Sequence, residues 1–189
     1  MNPNNILMTT AALSAAVVPA AVSAADKNTG SGQEKRPNIV VIVADDLLSS
    51  ELSCYGGRNI NTPNIDRLAA EGVRFTHNYA SVAMSVPIRA SMYTGLYPAH
   101  HGSYQNHKNT FPGTKTVNEY MPEEGYRVGR TGKDHPGPAS VYKFDQIPGF
   151  TKGCTNLKAP YTTDGIRDWM SSSDVPFLLY VCSIHPHAP

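Results

Sequence analysis

The chain has 189 residues, a formal net charge of +1 and 16% charged residues, a length suited to one domain at the usual prior of roughly 150 residues. So even a balance excludes an electrostatic footprint for nucleic acid or an anionic membrane, and 40% hydrophobic content excludes the disordered profile. Gly and Pro number 15 each, above their average combined share of about 12%, which predicts many turns and excludes a fibre or a coiled coil.

Residues 1–24 hold no Asp, Glu, Lys or Arg. Ile6 to Ala25 is an apolar, small-residue run ending in Val22-Ser23-Ala24-Ala25, the pattern of a secretory signal with its cleavage site. An uncleaved anchor or a buried helix would use the same residues, but Pro19 and the crowd of alanines argue against a stable membrane span. Asp26 to Arg36 is polar, charged and Gly/Ser-rich, as a flexible leader would be. The expected organisation is a signal over 1–24, a leader over 25–35 and one domain over 36–189.

Asn38 to Ala44 is a continuous β-branched run and predicts a strand buried on both faces, stopping at Asp45-Asp46. Asn64 to Gly72 predicts a short helix with Asn64 as N-cap, Ile65, Leu68 and Ala69 on one face and Gly72 as the stop. A second helix is expected from Val86 through Tyr93 to Gly95. Thr116 to Glu124 reads as a third, ended or kinked by Pro122, and Tyr126 to Arg130 as a strand leading into Gly132-Lys133. Thr163 to Ser171 has helical period with Ile166, Trp169 and Met170 on one side, and Pro176 opens the strand Phe177 to Val181. Strands alternating with helices predict an α/β protein with a parallel sheet and helices on both faces. In such sheets sites lie beyond the carboxyl ends of strands, where the last residues of this chain also fall.

Four segments could carry chemistry. Adjacent carboxylates repel, so Asp45-Asp46 at a strand end is most easily explained by a neutralising cation; a solvated turn with one Asp capping a helix is the plainer alternative. Ser85, two residues before Pro87, opens a helix where backbone N–H groups can bind an anion. Arg89 lies one turn above and could pair with the same anion, although an N-cap serine with a surface arginine is also common. Lys133 and His135 point to one side if their segment is extended, a cation beside an imidazole suited to an anionic substrate and proton transfer; a solvated loop fits equally. His185 and His187 are held by Pro186 and Pro189, and a His pair at this spacing could bind metal, but no partner ligand is near in sequence. His100, His101 and His107 read as loop histidines without a role. Cys54, Cys154 and Cys182 are odd in number, with no CxxC; one disulfide is permitted and its connectivity is open. Cys182, inside an apolar run, is expected to be a buried structural thiol.

Taken in order, these segments resemble the motifs of the type I sulfatase family, within the alkaline phosphatase-like superfamily. The shared pieces are Arg36-Pro37-Asn38-Ile39 leading to Asp45-Asp46, and Thr62-Pro63-Asn64-Ile65-Asp66-Arg67-Leu68 with Gly72 and Phe75. Ser85-x-Pro87-x-Arg89 followed by Thr94-Gly95 is the sulfatase signature, and Gly132-Lys133-x-His135 and Pro186-His187-x-Pro189 complete the set. Within the family, Gly132-Lys133-x-His135-x-Gly137-Pro138 with Val141-Tyr142-x-Phe144-Asp145 is similar to sulfamidases, the N-sulfoglucosamine sulfohydrolases.

The resemblance implies an alkaline phosphatase-like α/β fold, a mostly parallel sheet with helices on both faces, of which these residues are the N-terminal part. It implies that Ser85 is converted to formylglycine by a radical S-adenosylmethionine partner, the anaerobic sulfatase-maturating enzyme; Ile88 departs from the small Ser or Ala usual before the arginine. Asp45, Asp46 and the modified Ser85 would bind one Ca2+. Further ligands, an Asp and an Asn or similar, together with another lysine, would lie downstream, so these residues alone are expected to be inactive. An aldehyde hydrate would supply one hydroxyl to attack sulfur and a second to let the sulfate ester collapse. Arg89 would stabilise sulfate charge, Lys133 and His187 would hold sulfate and protonate the leaving atom, and His135 would orient or deprotonate the hydrate. The expected function is hydrolysis of sulfate esters or sulfamates of a glycosaminoglycan-type sugar, N-sulfoglucosamine sulfohydrolase-like, in the periplasm of an anaerobic bacterium. The alternatives are an O-sulfatase on another sulfated glycan, a phosphatase-like hydrolase using Ser85 directly, and a non-catalytic glycan-binding fragment.

Overall fold

A computed structural model describes residues 36–152 and 161–187; the expected signal and leader, Cys154 and Pro189 lie outside the described residues. Four strands, β1 (Ile39–Asp45), β2 (Arg127–Gly132), β3 (Asp145–Gln146) and β4 (Phe177–Pro186), form one sheet in the order β1-β4-β2-β3. Every pairing is parallel, so all four carboxyl ends emerge at one edge. The helices are α1 (Pro63–Glu71), α2 (Ser85–Thr94), α3 (Pro98–His101), α4 (Val117–Glu123) and α5 (Asp164–Ser171). The parallel sheet with helices on both faces is borne out.

The pleat of β4 explains the two layers, since successive side chains point to opposite faces. Leu178, Tyr180 and Cys182 join Ala90 and Tyr93 of α2 with Val128, Val141, Tyr142 and Phe144, and Val117 and Met121 of α4 pack against them. Phe177 and Leu179 face the other way with Ile147, against Ile166 and Trp169 of α5. Complete burial of a leucine such as Leu179 stabilises by about 2 kcal/mol. At the centre of the first layer, the Tyr93 ring meets Tyr142, Phe144 and Tyr180 edge-on, with centroids 4.9–5.8 Å apart.

The strand buried on both faces is therefore β4. For β1 the expectation is corrected: Val41 and Val43 are half-buried against the first layer, while Val40 and Ile42 on its other face are exposed. The reason is position in the sheet, because β1 hydrogen-bonds only to β4 and among the described residues no helix covers its second face.

Helix boundaries follow local chemistry. The cap of α1 is Thr62, two residues before the expected Asn64, with Pro63 at the first helical position, where a missing N–H costs nothing; Ile65 and Leu68 remain exposed. α2 ends where Gly95 adopts φ 72° and donates its N–H to Ser91 O at 2.8 Å, a left-handed stop open to glycine. Thr116 caps α4 by accepting from Asn118 N; Pro122 sits in its last turn, and the helix ends one residue later. β4 runs five residues beyond the expected Val181, and the short elements α3 and β3 carry no pattern long enough to be foreseen.

His101 corrects a second expectation. It closes α3 rather than lying in a loop, and it is fully buried. Its Nδ1 accepts the Ser103 N–H at 3.1 Å, and its Nε2 lies 3.0 Å from Ser91 Oγ; this fixes a neutral ring with the proton on Nε2. Burial holds its pKa below the ordinary 6.5. As pH falls through the unfolded value, the unfolded chain takes up a proton that the folded chain refuses, so this contribution is complete above about 6.5 and is lost progressively below it. Urea midpoints are expected to fall between about pH 7.5 and 5.5, with a shallower fall in His101→Gln; an equal slope in both proteins would refute the assignment.

Candidate active site

The parallel sheet brings the carboxyl ends of β1, β2 and β4 together, and α2 starts beside them. Asp45 ends β1 at a register shift opposite Pro186 of β4. It is 5% exposed and is gripped by two cations: Arg89 Nη2 donates to Oδ1 at 3.1 Å, and Lys133 Nζ donates to Oδ2. Arg89 and Lys133 are themselves 3% and 1% exposed. Burial raises the pKa of Asp45, but the Lys133 and Arg89 bonds outweigh it, and the net shift is below the ordinary carboxylate value. Two cationic side chains thus offset the charge of Asp45.

Asp46 does not share that environment. Its φ of 60° is a left-handed conformation that a short polar residue tolerates, and the turn sends its side chain out to 69% exposure. His187 Nε2 lies 3.8 Å from Asp46 Oδ2, near but beyond hydrogen-bonding distance. The two adjacent carboxylates thus differ sharply in burial, Asp45 inside and Asp46 outside.

Ser85 is the first residue of α2, with Met84 as N-cap, so it is not itself the cap. Pro87, two residues on, occupies the first turn, where the N–H it lacks would have had no intrahelical partner. Ser85 Oγ lies 2.9 Å from His135 Nδ1. Burial first, then the nearby Lys133 and Arg89 charges, hold the His135 pKa below 6.5, and a neutral imidazole can accept the Ser85 proton through Nδ1. Asn106, which the sequence reading did not single out, accepts the Val86 N–H through Oδ1 at 3.0 Å and so holds the first turn of α2; an asparagine in a loop carries no signal of such a distant bond.

Lys133 and His135 both reach the site, but not by alternation along an extended strand. Gly132 has φ 85°, and a side chain there would sit 1.9 Å from Cys182 O, so only glycine lets β2 turn past β4. Lys133 N then donates to Cys182 O at 3.0 Å as its side chain runs to Asp45, and His135 at φ 49° turns towards Ser85. Cys182 is the buried thiol expected, 3.6 Å from Tyr93 Oη.

Val43, Asp45, Asp46, Ser85, Ile88 and Arg89 are among the residues around a cavity of about 380 Å³. Arg89 Nη1 is buried and makes no hydrogen bond, so the guanidinium retains an unused donor. His187 Nδ1 is likewise buried and without a hydrogen bond. Among the described residues no three His, Cys, Asp or Glu side chains cluster closely enough to hold a metal ion. The oxygens available are the Asp45 and Asp46 carboxylates and Ser85 Oγ, hard donors that fit calcium as part, though not all, of its usual six to eight ligands.

The Sulfatase family model matches residues 37–189. The chain is 33% identical over 155 residues to an ulvan-active sulfatase of Formosa agariphila, covering 81% of the chain and 31% of that protein. It is 39% identical over 135 residues to an N-acetylglucosamine-6-O-sulfatase of Bacteroides thetaiotaomicron, covering 71% and 23%. A solved structure of a protein in complex with its substrate D-glucosamine-2-N,6-O-disulfate superposes with a TM-score of 0.67 and 28% identity, covering 81% of the chain and 35% of that structure. The chain thus spans about a third or less of the length of these relatives.

Proposed function

The chain belongs to the sulfatase family, and from that premise we propose that residues 36–189 form the N-terminal part of the catalytic domain of an enzyme that hydrolyses sulfated sugars. The fold is alkaline phosphatase-like. The observation that carries the reading is Ser85, at the start of α2, 2.9 Å from His135 and beside the buried cluster of Asp45, Arg89 and Lys133. A nucleophile precursor with a neutral base bonded to it, and a carboxylate held by two cations, then lie side by side, with Ser85, Asp45 and Arg89 on one cavity.

On this reading Ser85 is converted to formylglycine by a radical S-adenosylmethionine maturating enzyme. Its hydrate would supply the attacking hydroxyl and a second hydroxyl that lets sulfate depart. Asp45, Asp46 and residue 85 would hold one Ca2+, whose charge favours the sulfate oxygens. Arg89, through the unused Nη1, would bind a sulfate oxygen. His135 would orient or deprotonate the group at position 85, since its lowered pKa keeps it neutral at pH 7. Lys133 and His187 would hold sulfate and protonate the departing oxygen or nitrogen, a step that matters most for a sulfamate because an unprotonated amide leaves poorly.

The substrate class we favour is N- or O-sulfated glucosamine. Two relatives support it, one named as an N-acetylglucosamine-6-O-sulfatase and one solved with a glucosamine disulfate; the likeness of residues 132–145 to sulfamidases supports the S–N variant. The apolar run over residues 6–25 supports export to the periplasm. Among the described residues no helix is long and apolar enough to cross a membrane.

The test is the mass of the tryptic peptide Phe75–Arg89 from protein made in an anaerobic host with an active maturating enzyme. Conversion of Ser85 makes this peptide lighter by two hydrogens, about 2 Da, and that is the expected result. The Ser85–His135 contact also favours a second reading, in which Ser85 attacks directly with His135 as base. An unshifted peptide together with hydrolysis of a phosphate monoester would establish that reading instead.

A further inference from the structure

We propose that Asp134 is a positioning residue, anchored by the buried Arg130, that sets His135 against Ser85. His135 adopts φ 49°, a left-handed conformation that is unfavourable for a residue with a Cβ, so its surroundings must hold it there. Asp134 does so directly: its Oδ1 accepts the His135 N–H at 2.8 Å, folding the carboxylate forward over the next peptide. Asp134 is in turn held from β2. Arg130 Nη1 donates to Asp134 O at 3.4 Å, and Nη2 lies 3.8 Å from Oδ2. The Arg130 side chain is 4% exposed, whereas that of Asp134 is 47% exposed. The Arg130 guanidinium lies 4.6 Å above the centroid of Phe144, a core ring, and Arg130 O accepts the Ile147 N–H at 2.9 Å. A merely solvated aspartate would have no use for a buried arginine placed against it. The path runs from the core through Arg130 and Asp134 to the His135 backbone, and from the His135 ring to Ser85.

The proposal rests on the sulfatase reading for its kinetic test, and a second measurement is independent of it. In matured full-length protein, Asp134→Ala is expected to lower kcat about ten- to a hundredfold with KM changed less than about twofold. Asp134→Asn keeps an oxygen for the His135 N–H and is expected to retain at least about half of kcat. Wild-type kcat in Asp134→Ala, or equal losses in both variants, would overturn the proposal. In full-length protein with Ser85 unmodified and histidines labelled with nitrogen-15, the His135 Nδ1 resonance is expected to report an accepted hydrogen bond in wild type and Asp134→Asn, and its loss in Asp134→Ala. An unchanged resonance in Asp134→Ala would overturn the proposal. Absence of turnover in matured wild type would remove the sulfatase reading and leave the nitrogen resonance as the deciding measurement.

Discussion

Asp45→Asn is expected to destabilise the protein by about 3–5 kcal/mol, the usual cost of stripping one partner from a buried ion cluster. The substitution conserves shape and removes only charge, so the loss reports electrostatics. Arg89 and Lys133, 3% and 1% exposed, would be left buried without their counter-charge, and a new amide N–H2 would face one of them. At about 2–4 °C per kcal/mol for a domain of this size, the midpoint of thermal unfolding falls by about 10 °C. Unfolding measured with a calcium chelator present isolates the ion cluster from any bound cation. Lys133→Met should cost less, because the Arg89–Asp45 pair at 3.1 Å survives. If Asp45→Asn costs under about 1 kcal/mol, the cluster does not hold the site together.

If the full-length, matured protein is the sulfatase proposed above, Ser85→Ala in it is expected to abolish turnover of a sulfated glucosamine, by about 10⁴-fold or more, as removal of a nucleophile does. Stability should change by no more than about 1 kcal/mol, the net worth of one hydrogen bond, because the bond from Ser85 to His135 is the side-chain contact given up. The pairing of a large kinetic loss with a small shift in unfolding midpoint separates a reacting residue from a structural one. Retention of even a tenth of wild-type kcat would remove Ser85 from the chemistry.

Much of the fold was legible because it is local. The turn from a β-branched run to Asp45, the stop of α2 at Gly95 and the cap of α4 at Thr116 are each decided within a few residues. The exposure of β1 was not legible: Ile39 to Ala44 and Phe177 to Val181 are similar in composition, and only strand order distinguishes an edge strand from a central one. The site shows the same division. Asp45, Ser85, Arg89, Lys133 and His135 were singled out and do converge. Their partnerships were not foreseen, since nothing in the spacing pairs Asp45 with Lys133 across 88 residues. The divergence of Asp45 from Asp46 and the turn at Gly132 depend on left-handed dihedrals, and His101 and Asn106 act through bonds made only after folding.

The placement of β4 governs how the sheet can come together. β1 and β2 share no hydrogen bond, and among the described strands β1 pairs only with β4, the last of the four in sequence. During synthesis, at about 5–20 residues per second, the apolar stretch Ile39–Ala44 must wait for more than 130 residues, on the order of ten seconds, before its partner β4 has been made. Such long-range parallel pairing is slow to form, and a waiting apolar strand is open to aggregation. The order of synthesis thus leaves β1 unpaired while the residues up to β4 are made, and slower translation between residues 45 and 177 is expected to lower the yield of folded protein.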